Sequence, residues 1–316
     1  MEQGVKRSGI SAIILLLVLG GCGSNSSRAG RAPVSAGPVV TPLAACTGFA
    51  TSGDITASLT VDTLKRTYLL HVPPHLPAHH RYALVIMFHP ASATGSAMAA
   101  ISGMSDVADR HGFLVAYPDG LDETWLSGGA DDEQITNQDP RLRGKGLADI
   151  HFIGRLIDAI GSRTCIDPAR IYAGGASSGG SMAYRLACDL SGRIAAIAPG
   201  NGTYTYGGCR PSHAVAVIAF HGTANVGVPY HGGGLYHTPD IPTWASTWAH
   251  RDQCTRGPSI FLNRAVARAV RYTGCQGRTE VQLYAMIGVG DQWPYLPGVG
   301  DAAEIMWRFF AAHARR

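Results

Sequence analysis

Ile171-Tyr172-Ala173-Gly174-Gly175-Ala176-Ser177-Ser178-Gly179-Gly180-Ser181 starts on strand-forming residues and runs through glycines into small residues that suit a helix. Gly175 to Gly179 fits G-x-S-x-G, the pattern of a sharp strand-to-helix turn. Glycines are needed there because the turn brings backbones together and pushes the serine side chain into an open cleft. A glycine-rich phosphate loop is the competing reading, but no lysine follows these glycines. Ser177 is therefore the candidate nucleophile. Ser178 is the weaker one, since Ala176 would stand where its upstream glycine belongs.

Working outward, the pattern alternates strands with helices. Ile55 to Val61, Thr67 to Val72, Ala83 to Phe88, Phe113 to Tyr117, Ala195 to Ala198, Val215 to Phe220 and Val281 to Met286 read as strands. Ala99 to His111, ending at Gly112, reads as one helix, as do Leu147 to Ser162 and Ala302 to Ala312. Pro118-Asp119-Gly120 is a turn. This alternation predicts an α/β fold with a mostly parallel central sheet and helices on both faces.

At 316 residues, 46% hydrophobic and 15% charged, the chain is long enough for a large core. The formal charge of +4 is spread without a basic run, so nucleic acid is not an expected partner. Lys6 and Arg7 precede an apolar stretch from Ile10 to Leu19, and Leu19-Gly20-Gly21-Cys22 follows. That order is a secretory signal, and roughly ten apolar residues fall short of the about 20 a membrane span needs. Small residues before Cys22 resemble a lipobox, which implies lipidation at Cys22 and a membrane contact through the lipid. Residues 1–22 are thus expected to be a signal peptide. Residues 23–40, rich in Ser, Gly, Ala and Pro, form a linker, and residues 41–316 one domain, expected as a monomer outside the cytoplasmic membrane.

Six further cysteines suit a compartment that permits disulfides. Spacing favours Cys254 with Cys275 and Cys188 with Cys209, leaving Cys46 with Cys165, though other pairings remain open. No CxxC or paired Cys/His spacing is present, so no metal and no other cofactor is expected. Asp131-Asp132-Glu133 lacks the alternating ligands of a calcium loop and reads as solvated, as does His79-His80.

Several short segments carry a resemblance. They are His221-Gly222-Thr223-Ala224, Val228-Pro229-Tyr230, Gly288-Val289-Gly290 and Trp293-Pro294. Earlier in the chain come Pro73-Pro74, His111-Gly112-Phe113, Tyr117-Pro118, Asp149 with Phe152, and Asp167-Pro168. From about Thr67 to His313 the chain resembles the extracellular polyhydroxybutyrate depolymerase and feruloyl esterase family. The resemblance implies the α/β-hydrolase fold, a secreted serine esterase and an ester or glycan-linked ester as ligand. It puts the nucleophile on Ser177. The family's catalytic acid position, however, is Asn225, its catalytic histidine position is Asp291, and its oxyanion His-Gly is His89-Pro90. Ser178 and Ala91 NH groups remain as oxyanion donors.

A serine hydroxyl needs a neighbour to take its proton, and imidazole suits that task near neutral pH better than a carboxylate of pKa about 3.9. Two readings follow. One is an esterase whose base is recruited from His231 or His237, or poorly replaced by Asp291. The other is an inactive relative that keeps the cleft to bind an ester, a glycan or a protein. Trp125 and Trp293 are the candidates for an aromatic cleft wall, with His89 beside them. Trp244 and Trp248, at helical spacing, are better read as core.

Overall fold

The computed structural model describes residues 52–76, 80–129, 132 and 145–315. The signal-like segment, Cys22, the 23–40 linker, Cys46, His79, Asp131 and Glu133 lie outside the described residues.

Among the described residues the strands are β1 (Gly53–Val61), β2 (Leu64–Val72), β3 (Tyr82–Phe88), β4 (Leu114–Pro118), β5 (Ile166–Ala176), β6 (Ala196–Gly200), β7 (Ala216–Gly222), β8 (His231–Gly233), β9 (Thr238–Asp240), β10 (Arg256–Asn263), β11 (Ala267–Thr273) and β12 (Val281–Met286). The helices are α1 (Gly95–Ser102), α2 (Met104–His111), α3 (Ala148–Arg163), α4 (Ser178–Asp189), α5 (Ile241–Arg251) and α6 (Ala302–Ala312). One sheet runs in the order β1-β2-β4-β3-β5-β6-β7-β12-β11-β10. Its centre, from β4 to β12, is parallel, and antiparallel pairs close both ends.

β3 shows why the centre is buried on both faces. Leu84, Ile86 and Phe88 pack into one apolar layer with α3, α4 and α5, while Ala83, Val85 and Met87 pack into the other with α1, α2 and α6. Successive side chains point to opposite faces, so a strand covered by helices on both sides must be apolar throughout. Burying each large side chain contributes about 1.5–3 kcal/mol.

The predicted strands recur with small shifts at their ends. The helix expected over Ala99 to His111 is instead two helices, because Gly103 adopts a left-handed φ of 66° that ends α1 and starts α2. Cys188 bonds Cys209 and Cys254 bonds Cys275, as spacing favoured. Cys165 is also disulfide-bonded.

Asp252, just past α5, is 1% exposed. Its Oδ2 accepts the Thr279 hydroxyl at 3.1 Å, and its Oδ1 has no partner. Burial pushes its pKa from 3.8 up to about 7. The folded chain thus holds this proton more tightly than the unfolded one, and the cost of burying the charge grows as pH rises from 4 to 7, then levels off. Asp252→Asn is expected to stabilise the chain by about 2–4 kcal/mol above pH 7 and to lose that gain near pH 4. Denaturant melts at pH 8 and pH 4 check this, and an equal offset at both pH values would contradict it.

Candidate functional site

Ser177 sits at the tip of the turn between β5 and α4, with φ 52° and ψ −119°. A non-glycine residue there stores about 1–3 kcal/mol of strain, which the surroundings must hold in place. They do so through Ser177 N donating to Gly200 O at 2.8 Å and Ser181 N donating to Ser177 O at 3.0 Å. The flanking glycines have no alternative. A Cβ on Gly175 would stand 2.6 Å from Phe88 O, and one on Gly180 would stand 2.5 Å from Gly200 O.

The Ser177 hydroxyl donates to Asp291 Oδ2 at 3.0 Å. Asp291 lies on the loop after β12, and that loop is tied down at several points. Gly288 N donates to Thr223 Oγ1 at 2.9 Å, and Ala224 N donates to Val289 O at 2.9 Å. Asn201 joins the two loops, accepting Gly222 N on Oδ1 and donating from Nδ2 to Gln292 O, both at 2.9 Å. Desolvation raises the Asp291 pKa above the ordinary value, and the Ser177 hydrogen bond opposes the shift. The residue is nonetheless open to solvent on one side. Sequence reading had not singled out Asn201. Its only signal was a polar residue directly after the Pro199-Gly200 end of a buried strand.

Asn225 makes no hydrogen bond to an imidazole. Its Oδ1 accepts Val228 N at 2.9 Å, and its buried Nδ2 has no partner. The two histidines considered as a replacement base do not reach Ser177. His231 pairs with Asp240 at 3.3 Å, and both His231 and His237 are exposed. They lie on β8 and the turn before β9, a small separate hairpin. His221, buried at the end of β7, donates Nε2 to Val228 O at 2.7 Å, and burial pulls its pKa down to about 4, so its ring is neutral.

Trp125 and His89 correct the expectation of an aromatic cleft wall. Trp125 is 0% exposed and donates Nε1 to His89 O at 3.0 Å. The His89 ring is equally buried, with Nδ1 donating to Pro90 O at 2.8 Å and Nε2 accepting Gly120 N at 2.9 Å. Both are core rather than cleft wall, because a fully bonded indole and imidazole between strand ends stabilise the loops and leave no surface for a ligand. Trp293 is half-buried and lines an open cavity of about 620 Å³ with Ile101, Gly103, Tyr295 and Leu296. Trp244 and Trp248 are core, packed with Tyr184 and Tyr204.

Ala91 is exposed in the turn after β3, which is held by Ser92 N donating to Glu123 O at 2.9 Å. Ser178 is the first residue of α4, where backbone NH groups have no partner within the helix. Among the described residues, no group of three or more His, Cys, Asp or Glu side chains is placed to hold a metal ion.

No family model matches the chain. Feruloyl esterase B of Piromyces equi is 28% identical over 241 residues, covering 71% of this chain and 42% of that protein. The chain thus spans less than half of that relative. Feruloyl esterase D of Neurospora crassa is 25% identical over 277 residues, covering 81% of this chain and 85% of that protein. Among solved structures, the acetyl xylan esterase from Aspergillus awamori superposes with a TM-score of 0.59 at 14% identity, covering 81% of this chain and 99% of that one. Est1E from Butyrivibrio proteoclasticus superposes with a TM-score of 0.51 at 15% identity, covering 83% and 100%. With a serine at the tip of a strand-to-helix turn in a mainly parallel sheet, this chain is an α/β-hydrolase-fold protein related in sequence to the feruloyl esterases.

Proposed function

We propose that the chain is an exported carboxylic-ester hydrolase of the feruloyl or acetyl ester class, with Ser177 as acyl nucleophile and Asp291 as the acceptor of its proton. The 3.0 Å hydrogen bond from Ser177 Oγ to Asp291 Oδ2 carries this reading. As Oγ attacks the ester carbonyl, its proton passes to the Asp291 carboxylate. The tetrahedral oxyanion forms beside the NH groups of Ser178 and Ala91, and the proton on Asp291 leaves with the alcohol. Water then cleaves the acyl-serine by the same route. A carboxylate raised by desolvation is a better base than an exposed one, yet weaker than imidazole, so turnover is slow. The Cys188–Cys209 and Cys254–Cys275 disulfides support an oxidising compartment, in keeping with Cys22 as a lipid attachment point.

The second reading, an inactive relative that binds an ester, a glycan or a protein, draws on Asn225. Its amide is turned to Val228 and has no imidazole to orient.

Hydrolysis of 4-nitrophenyl acetate by the full chain and by Ser177→Ala separates the two. An esterase loses at least about 100-fold in the variant, whereas equal, near-background rates leave the binder. A Ser177–Asp291 pair also sets the pH profile. Activity needs the ionised carboxylate, so the rising limb of kcat/KM is expected above the usual Asp pKa of 3.8. A limb that is unchanged in Asp291→Asn would implicate a histidine instead.

A further inference from the structure

The pole of the sheet opposite Ser177 carries side chains that no step above uses. The chain enters the parallel strands there, with Ala195 just before β6, Ala214 ahead of β7 and Thr279 ahead of β12. Between these segments opens a cavity of about 610 Å³, within the range of small-ligand sites. Its lining includes Arg251, Arg278, Arg315, His213, His313 and the buried Asp252.

The lining thus holds three guanidinium groups and two imidazoles to one carboxyl, with Glu280 beside His313 at 3.9 Å as a second acidic group at its edge. Three guanidinium charges outnumber the carboxyls of Asp252 and Glu280, so the cavity is net positive. Two of the arginines are also short of partners. The Arg278 side chain makes no hydrogen bond or ion pair among the described residues. Arg315 Nε is buried without a partner, and its Nη2 has only a 3.4 Å bond to Pro168 O. A buried guanidinium N–H left unbonded costs more than an ordinary missing hydrogen bond, and an anion is the chemistry that satisfies it. Arg251 lies over the Trp248 ring at 4.8 Å, which fixes its guanidinium beside the cavity.

The walls are held in place before any ligand arrives. The Cys254–Cys275 disulfide and the 2.7 Å bond from Gln276 N to Asp252 O pin the Arg278 segment against the end of α5. Arg315 N donates to Ala169 O at 2.8 Å, anchoring the opposite wall. Fixed walls lower the ordering cost of binding.

We propose that this cavity is a second binding site, for a small soluble ligand bearing a phosphate, sulfate or carboxylate group held by Arg278 and Arg315. Its concave form suits a soluble anion rather than a flat layer of lipid headgroups. The site is independent of Ser177, which lies at the other ends of the strands.

Calorimetric titration of the full chain with inorganic phosphate and with citrate, at constant ionic strength, tests the site. Arg278→Glu is the informative variant, because Arg278 is exposed and unpartnered and its loss leaves the fold intact. Wild type is expected to bind at least one of the two anions, and Arg278→Glu to weaken that binding by about tenfold or more. Hydrolysis of 4-nitrophenyl acetate should be the same in both proteins. Preference for phosphate would assign a phosphorylated ligand, and preference for citrate a polycarboxylate. Absence of binding of either anion by wild type up to about 10 mM would overturn the proposal. So would undiminished binding in a folded Arg278→Glu chain, or binding lost in Ser177→Ala.

Discussion

Asp291→His combined with Asn225→Asp is expected to raise kcat/KM for 4-nitrophenyl acetate by about 10²–10⁴-fold, the usual contribution of a well-placed general base. The position is already correct, since the Asp291 carboxylate reaches Ser177 Oγ at 3.0 Å. The loop that carries it is held to the Asn225 loop through Ala224 N and Val289 O. Asn225 supplies the rest of the argument. One side of its amide accepts Val228 N, a role an Asp oxygen can keep, and the other side is an unpartnered Nδ2 that an acceptor oxygen would replace. A new imidazole N–H could then donate to that oxygen and be oriented by it. The changes should be strongly non-additive. Asn225→Asp alone buries a carboxylate with no cation to meet it, so it should destabilise the chain and gain no activity. Michaelis–Menten kinetics on the two single variants and the double variant check this. A double variant no faster than wild type would mean that the oxyanion donors around Pro90 and Ala91 no longer serve an ester, and would favour the binder.

Gly179→Ala should be strongly damaging for a change of one methyl group. The added Cβ would lie 2.3 Å from Phe88 O and 2.6 Å from His89 O, both backbone atoms of the neighbouring strand and its turn. Neither can rotate away, so β3 and the start of α4 must separate. The expected loss is about 3 kcal/mol or more, together with displacement of Ser177 from Asp291. Gly207→Ala is the control, because nothing lies within 4 Å of its added Cβ, and its effect should stay within about 0.5 kcal/mol. Guanidinium unfolding of both variants measures the difference. Similar losses in the two would show that close approach at the turn is not what requires glycine at 179.

Much of the sheet was legible because its central strands are apolar throughout and its helices have one apolar face. The misses have physical causes. Gly103 interrupts a segment whose composition otherwise suits a single helix, and only its left-handed backbone separates α1 from α2. β10 went unread because it is an edge strand exposed almost throughout, with Pro258 near its start, so it has no alternating pattern to betray it. Trp125 reads as cleft wall in the sequence because a tryptophan near a strand end suits either surface or core, and the bond to His89 O selects the core.

Contacts close along the chain were enough to locate the Ser177 turn, since Gly175 and Gly179 flank it and backbone crowding there admits little else. The same holds for the two disulfides whose cysteines stand 21 residues apart. What Ser177 touches was a different matter. Asp291 lies 114 residues away, and it meets Ser177 because the sheet order puts the ends of β5, β6, β7 and β12 side by side and Asn201 ties their loops together. His231 and His237 were as plausible on paper, yet their hairpin holds them away from the turn. Local backbone sterics depend on adjacent residues and can be read in order. Polar partners across loops depend on which strands become neighbours, and that is settled only when the whole sheet packs.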